Sequence, residues 1–150
     1  MKANYNLPCN IAQTLNIVGD RWTLLILHEI LMGASTFNEI KKGLDGISSN
    51  LLSDRLKYLA DSGLVINSLY SDHPPRYQYS LTESGRDLEP VFHSLLIWGR
   101  NHLEKCYKKL VHDTCRHEVE IAYYCSHCEE NVSEDELLVL PYGEKEEVSL

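Results

Sequence analysis

The chain has 150 residues, 43% of them hydrophobic, with 14 Lys and Arg against 22 Asp and Glu for a formal charge of −8. That length holds one domain plus an appendage. No stretch approaches the roughly 18 apolar residues of a membrane span and no apolar leader opens the sequence, so a cytoplasmic protein with no membrane partner is expected. Five cysteines, an odd number in such a chain, argue against a disulfide framework and for free thiols or metal ligands.

The charge is unevenly spread. Residues 1–112 hold 12 Lys and Arg and 11 Asp and Glu, a net of +1, whereas residues 113–150 hold 2 and 11, a net of −9. The acidity belongs to the tail, and the body is near neutral, with its basic residues free to gather on one side.

In chain order, Ile11, Ala12, Leu15 and Val18 mark a first short helix, interrupted at Gly19-Asp20. Trp22 to Met32 is apolar over most of its circumference and is expected to be the central buried helix, stopped by Gly33. A third helix starts at Ser35 or Thr36, with Phe37, Ile40 and Leu44 inward and Lys41 and Lys42 outward; Glu39 stands three residues after Thr36, a capping-box spacing. Residues 43–47 form a tight turn into a fourth helix.

That fourth helix, within residues 46–63, has Leu52, Leu56 and Leu59 on one face, widened by Leu51, and Ser49, Asn50, Ser53, Asp54 and Lys57 on the other. Ser48 is placed as its N-cap and Gly63 as its left-handed terminator. An amphipathic helix with a polar outer face is most often a solvated surface helix. Here, helix, short glycine-containing turn and helix are the helix-turn-helix order, with residues 46–63 in the recognition position.

Residues 64–70 read as a strand, residues 71–76 break it, and Tyr77 to Leu81 alternate back as its partner, so a two-stranded wing follows the recognition helix with Arg76 at the exit of its tip. Thr82 caps a short helix, and Pro90 separates it from a longer one, about Val91 to Leu110. The apolar stripe of that longer helix is too wide for one small domain to cover, and a two-fold symmetric partner is the simplest cover.

Taken together, Cys9-Asn10-Ile11-Ala12, residues 17–27, Phe37-Asn38-Glu39-Ile40, Gly46-Ile47-Ser48, residues 59–65 and residues 74–85 closely resemble the HxlR family of bacterial winged-helix regulators, over roughly residues 7–105. The resemblance implies a homodimeric transcription regulator, often a repressor, responding to a small molecule or to oxidative or electrophile stress. Its N-terminal and post-wing helices would make the dimer interface. In many such proteins the early cysteine, matched here by Cys9, is a reactive thiol; Asn10 stands where Pro is usual, Lys2 is the only nearby cation in sequence, and a half-buried structural cysteine is the competing reading.

The tail has its own pattern: Cys115, His117, Cys125 and Cys128 give Cys-x-His followed by Cys-x-x-Cys. Such a set suits a structural zinc ion in a small ribbon-like appendage, with residues 118–124 as a connecting strand and His112 and His127 as spare donors. A redox-active Cys125/Cys128 pair and a metal-free ribbon are the alternatives. Beyond Val132 a short turn or strand and then a charged end, 143–150, are expected.

The expected architecture is therefore mainly α with a small β wing (α+β): a homodimeric winged helix-turn-helix body over 1–112 and a zinc-ribbon-like tail over 113–150. Its expected partner is double-stranded DNA, bound at a near-palindromic operator. Ser48, Ser49, Asn50 and Ser53 would meet base edges or phosphates, Asn50 being the best reader of adenine, while Lys41, Lys42, Arg55, Lys57 and Arg76 would contact phosphate, with Arg55 lying partly toward the domain as the alternative. A protein-interaction scaffold whose acidic tail docks a partner is the alternative. No catalytic ordering of Ser, His and Asp and no phosphate-binding loop points to an enzyme.

Overall fold

The computed structural model describes residues 4–143; the charged end at 144–150 and Lys2 lie outside them. The chain forms two compact units that divide at Leu95/Leu96.

In the first unit, α1 (Asn10–Val18) and α2 (Thr23–Leu31) are followed by α3 (Phe37–Gly43) and α4 (Ser49–Asp61), then by strands β1 (Val65–Asp72) and β2 (Pro75–Leu81) and the short α5 (Glu83–Arg86). Helix α6 (Glu89–His102) crosses the division. The expected central helix is α2: Ile26, Leu27 and Ile30 are buried, and they join Ile40, Leu52, Leu56, Leu59 and Phe92 in one hydrophobic cluster. Removal of this apolar surface from water is the main stabilising term of the body.

Local signals set the boundaries. The Thr36 hydroxyl accepts from the Glu39 N–H at 3.3 Å, while the Glu39 carboxylate accepts from the Thr36 N–H at 3.1 Å, completing the capping box of α3. The Ser48 hydroxyl accepts from the Leu51 N–H at 3.2 Å and caps α4. Gly46 and Gly63 bracket α4 with φ of 88° and 75°, backbone positions that side-chain-bearing residues rarely adopt.

β1 and β2 pair antiparallel from Val65↔Leu81 to Asp72↔Pro75, with an irregularity between Leu69 and Ser71 that leaves Tyr70 unpaired. The wing has a third, one-residue edge that the sequence did not announce. Thr36 bridges Gln78, and the Tyr79 N–H donates to the Ser35 carbonyl at 2.7 Å, tying the wing to the start of α3.

Both ends of α6 depart from expectation. Pro90 falls in the first turn of α6, where its missing N–H costs nothing, and α6 ends at His102 instead of running to Leu110. Leu103 and Tyr107 stay 55% and 78% exposed, and apolar spacing alone does not sustain a helix.

The second unit takes in the last turns of α6 together with the tail. Arg100 reaches the Glu118 carboxylate and the Val119 carbonyl at 3.4 Å each, and Lys109 reaches Glu118 at 3.4 Å. The expected strand 118–124 is divided between two hairpins: Glu118 bridges back to Val111, whereas β3 (Tyr123–Cys125) pairs with β4 (Glu130–Val132). A 3-10 turn, Glu134–Glu136, follows, its Glu136 carboxylate accepting from the Ser133 N–H and hydroxyl at 2.8 Å.

Candidate nucleic-acid interface

The outer face of α4 is presented as the sequence predicts. Leu52, Leu56 and Leu59 are buried to 2% exposure or less, which fixes the helix's rotation about its axis. Ser48, Ser49, Asn50, Ser53, Asp54 and Lys57 are consequently exposed. The Ser48 oxygen is engaged as a cap, and its hydroxyl proton remains able to donate to a phosphate. Asn50 lies in the first turn, where a helix entering the major groove comes nearest to base edges.

Around this helix the cations divide. Lys42 and Lys57 are exposed and Lys41 is half-buried at the C-terminal end of α3. Lys41 and Lys42 line a depression of about 430 Å³ over the turn between α3 and α4, shared with Asn38, Leu44, Asp45, Gly46 and Ile47. Arg76 is exposed on β2 and pairs in register with Ser71. Arg55 is different. Its guanidinium turns inward to Asp20 at 3.5 Å and over the Tyr58 ring at 5.5 Å, so it braces the domain instead of facing a phosphate.

Asp20 anchors this brace. Its carboxylate accepts from the Trp22 and Thr23 N–H groups at 3.0 and 3.2 Å and from the Thr23 hydroxyl, capping the start of α2. Burial alone would raise its pKa; these hydrogen bonds and the Arg55 charge outweigh burial and hold it below its usual value of 3.8. Tyr58 completes the seat of α4 by donating to the Asn16 and Ile17 carbonyls at 3.3 and 3.1 Å. Sequence spacing did not reveal Asp20, whose partner is 35 residues away.

Cys9 precedes α1 as its N-cap residue, is exposed, and makes no side-chain cap bond. The other four cysteines are also free thiols. Cys125 and Cys128 share one turn, while the imidazole that meets Cys115 is that of His112, with Nδ1 3.2 Å from Sγ, instead of the expected His117. His117 lies across the hairpin, its carbonyl accepting from the His112 N–H.

The class is set by this arrangement: a helix-turn-helix whose second helix is rotationally fixed with a polar face outward, followed by a two-stranded wing, is a winged-helix DNA-binding transcription regulator. Residues 17–107 match the HxlR-like helix-turn-helix family, and the chain belongs to it. An HTH-type transcriptional regulator of Mycobacterium tuberculosis, itself uncharacterized, is 38% identical over 127 residues, covering 83% of this chain and 80% of that one. The solved structure of PA1374 from Pseudomonas aeruginosa is 31% identical, with a TM-score of 0.69 over 93% of this chain and 96% of that one. The redox regulator HypR in its oxidized form is 33% identical, with a TM-score of 0.57 over 65% of this chain and all of that one. Among the described residues no helix is long and apolar enough to cross a membrane.

Proposed function

We propose that the protein binds a near-palindromic operator as a homodimer and represses transcription from it. The observation that carries this is the fixed rotation of α4: burial of Leu52, Leu56 and Leu59 obliges Ser49, Asn50, Ser53 and Lys57 to face outward together. Asn50 reads adenine through a bidentate contact; Lys42, Lys57 and Arg76 hold phosphates, with Lys41 beside them at the turn. One short helix reads only a few base pairs, so specificity requires the second copy.

Dimer formation is supported by apolar surface that the single chain leaves in water. On α1, Ile11 is 73% exposed, and on α6 Leu95 and Trp98 are 54% and 59% exposed. Exposed apolar faces of this kind on helices mark interaction surfaces. A two-fold pair would set its recognition helices to half-sites about 34–36 Å apart, or a multiple.

The signal we assign to this regulator is oxidation or electrophile attack at Cys9. Its thiol is accessible at the start of α1, a helix of the proposed interface, and the similar HypR is a redox regulator. Modification there would alter the separation of the two recognition helices. The test is a footprint on the DNA upstream of the gene, with and without diamide, for the native chain and Cys9→Ser. Two protected half-sites, lost with diamide only when Cys9 is present, are expected. A single protected patch overturns the dimer reading, and diamide release that persists in Cys9→Ser overturns the sensor assignment.

A further inference from the structure

The second unit contains two hairpins of the same construction. In the first, Val111 bridges Glu118, the His112 N–H donates to the His117 carbonyl at 2.9 Å, and the Arg116 N–H donates to the His112 carbonyl at 2.8 Å. In the second, Tyr124 pairs with Asn131 and Cys125 with Glu130. The turns are therefore residues 113–116 and 126–129. Each ends on a non-glycine residue in the left-handed region, Arg116 at φ 62° and Glu129 at φ 57°.

Superposing the registers sets His112 on Cys125, Cys115 on Cys128 and Arg116 on Glu129. The repeated unit is an imidazole or thiol donor, two residues, a thiol and a left-handed residue. His117 coincides with Glu130, on the returning strand beyond the turn. The left-handed region is unfavourable for a residue that bears a side chain, and two such residues at the same register call for a common cause.

Donor geometry supplies one. In the second turn the Cys128 and His127 N–H groups are directed at the Cys125 sulfur, together with the Cys128 thiol. In the first turn His112 Nδ1 stands 3.2 Å from Cys115 Sγ. A tetrahedral zinc ion with its usual bond lengths spaces a nitrogen and a sulfur donor about 3.5 Å apart. Each hairpin thus brings two donors into one turn, half of a tetrahedron, and among the described residues no group of three or more His, Cys, Asp and Glu is drawn together.

Stability argues the same way. No described residue after Phe92 is buried, yet this segment holds two hairpins and a capped turn. A segment of this size without a core ordinarily depends on a metal or a disulfide.

We propose that His112, Cys115, Cys125 and Cys128 bind one zinc ion per chain, closing the two hairpins on each other. Four protein donors leave no open coordination position, so the site is structural. It is independent of the DNA-binding reading.

The full chain, kept reduced and freed of metal, would be titrated with Co(II). Intense visible bands of tetrahedral cobalt with thiolate charge transfer, saturating at one equivalent and bleached by zinc, are expected. His117→Ala should match the native chain in spectrum and affinity. His112→Ala should weaken binding by more than the roughly 10–100-fold that loss of an outer-shell partner costs. Cys128→Ser should lose part of the charge-transfer intensity. Weak octahedral bands, no saturation, or a loss in His117→Ala that His112→Ala does not show would overturn the assignment. So would protein isolated without chelator that carries a Cys125–Cys128 disulfide and no zinc.

Discussion

Asp20, in the turn before α2, and Arg55, midway along α4, meet at 3.5 Å across 35 residues of sequence. Because the same carboxylate caps α2, the central helix and the recognition helix share one anchor. Among the described residues the buried Arg55 Nε atom has no hydrogen-bond partner, so the guanidinium relies on this carboxylate and on the Tyr58 ring.

Asp20→Ala should therefore destabilise the body by about 1–2 kcal/mol, the usual cost of a lost cap, with Asp20→Asn less affected because the amide oxygen still accepts. Urea unfolding followed by circular dichroism measures both. Equal stability of Asp20→Ala and the native chain would remove the anchor role.

The pH dependence follows from the same group. Asp20 has a folded pKa below 3.8, so the stability it adds is fully present above that value and is lost as pH falls through the folded value. The gap in stability between native protein and Asp20→Asn should be constant near neutrality and shrink below about pH 4. A gap that widens on acidification contradicts the assignment.

Gly85 offers a test of how the wing is seated. It is buried in α5, and a β-carbon built there would collide with the carbonyl oxygen of Leu64 at the foot of β1. Gly85→Ala should cost about 1–3 kcal/mol, as overpacking does, whereas Ser84→Ala on the exposed side should cost little. Thermal unfolding of the two variants distinguishes them.

The dimer proposal predicts that Ile11→Glu or Trp98→Glu shifts the sedimentation coefficient from that of a pair to that of one chain, because both side chains already stand in water in the single chain. Far-UV circular dichroism should remain that of the native protein. Unchanged sedimentation in both variants would place the interface elsewhere.

Most of the body was legible because its signals are local. The Thr36–Glu39 box, the Ser48 cap, the glycines at 46 and 63 and the leucine spacing of α4 each act within a few residues, and the structure uses all of them. What escaped depends on contacts distant in sequence. Ser35 pairs with Tyr79, and the carboxylate toward which Arg55 turns, Asp20, lies 35 residues away in sequence. The length of α6 was not legible because apolar spacing continues through Tyr107 although Leu103 and Tyr107 stay exposed. In the tail, the contact between His112 and Cys115 was not legible, because the matched hairpin register is invisible in one dimension.

The central claim is that the outer face of α4, with the wing, reads a specific duplex. The most direct measurement is competition binding at about 150 mM salt between the protein's own upstream DNA and random duplex, for the native chain, Asn50→Ala and Arg76→Ala. The native chain should prefer its own DNA by about 10³-fold or more. Asn50→Ala should cost about 1–3 kcal/mol on the specific duplex only, while Arg76→Ala should weaken both duplexes alike and reduce the salt slope by about 1. A native chain with no preference for its own DNA, or an Asn50→Ala variant that retains the full preference, would contradict the claim.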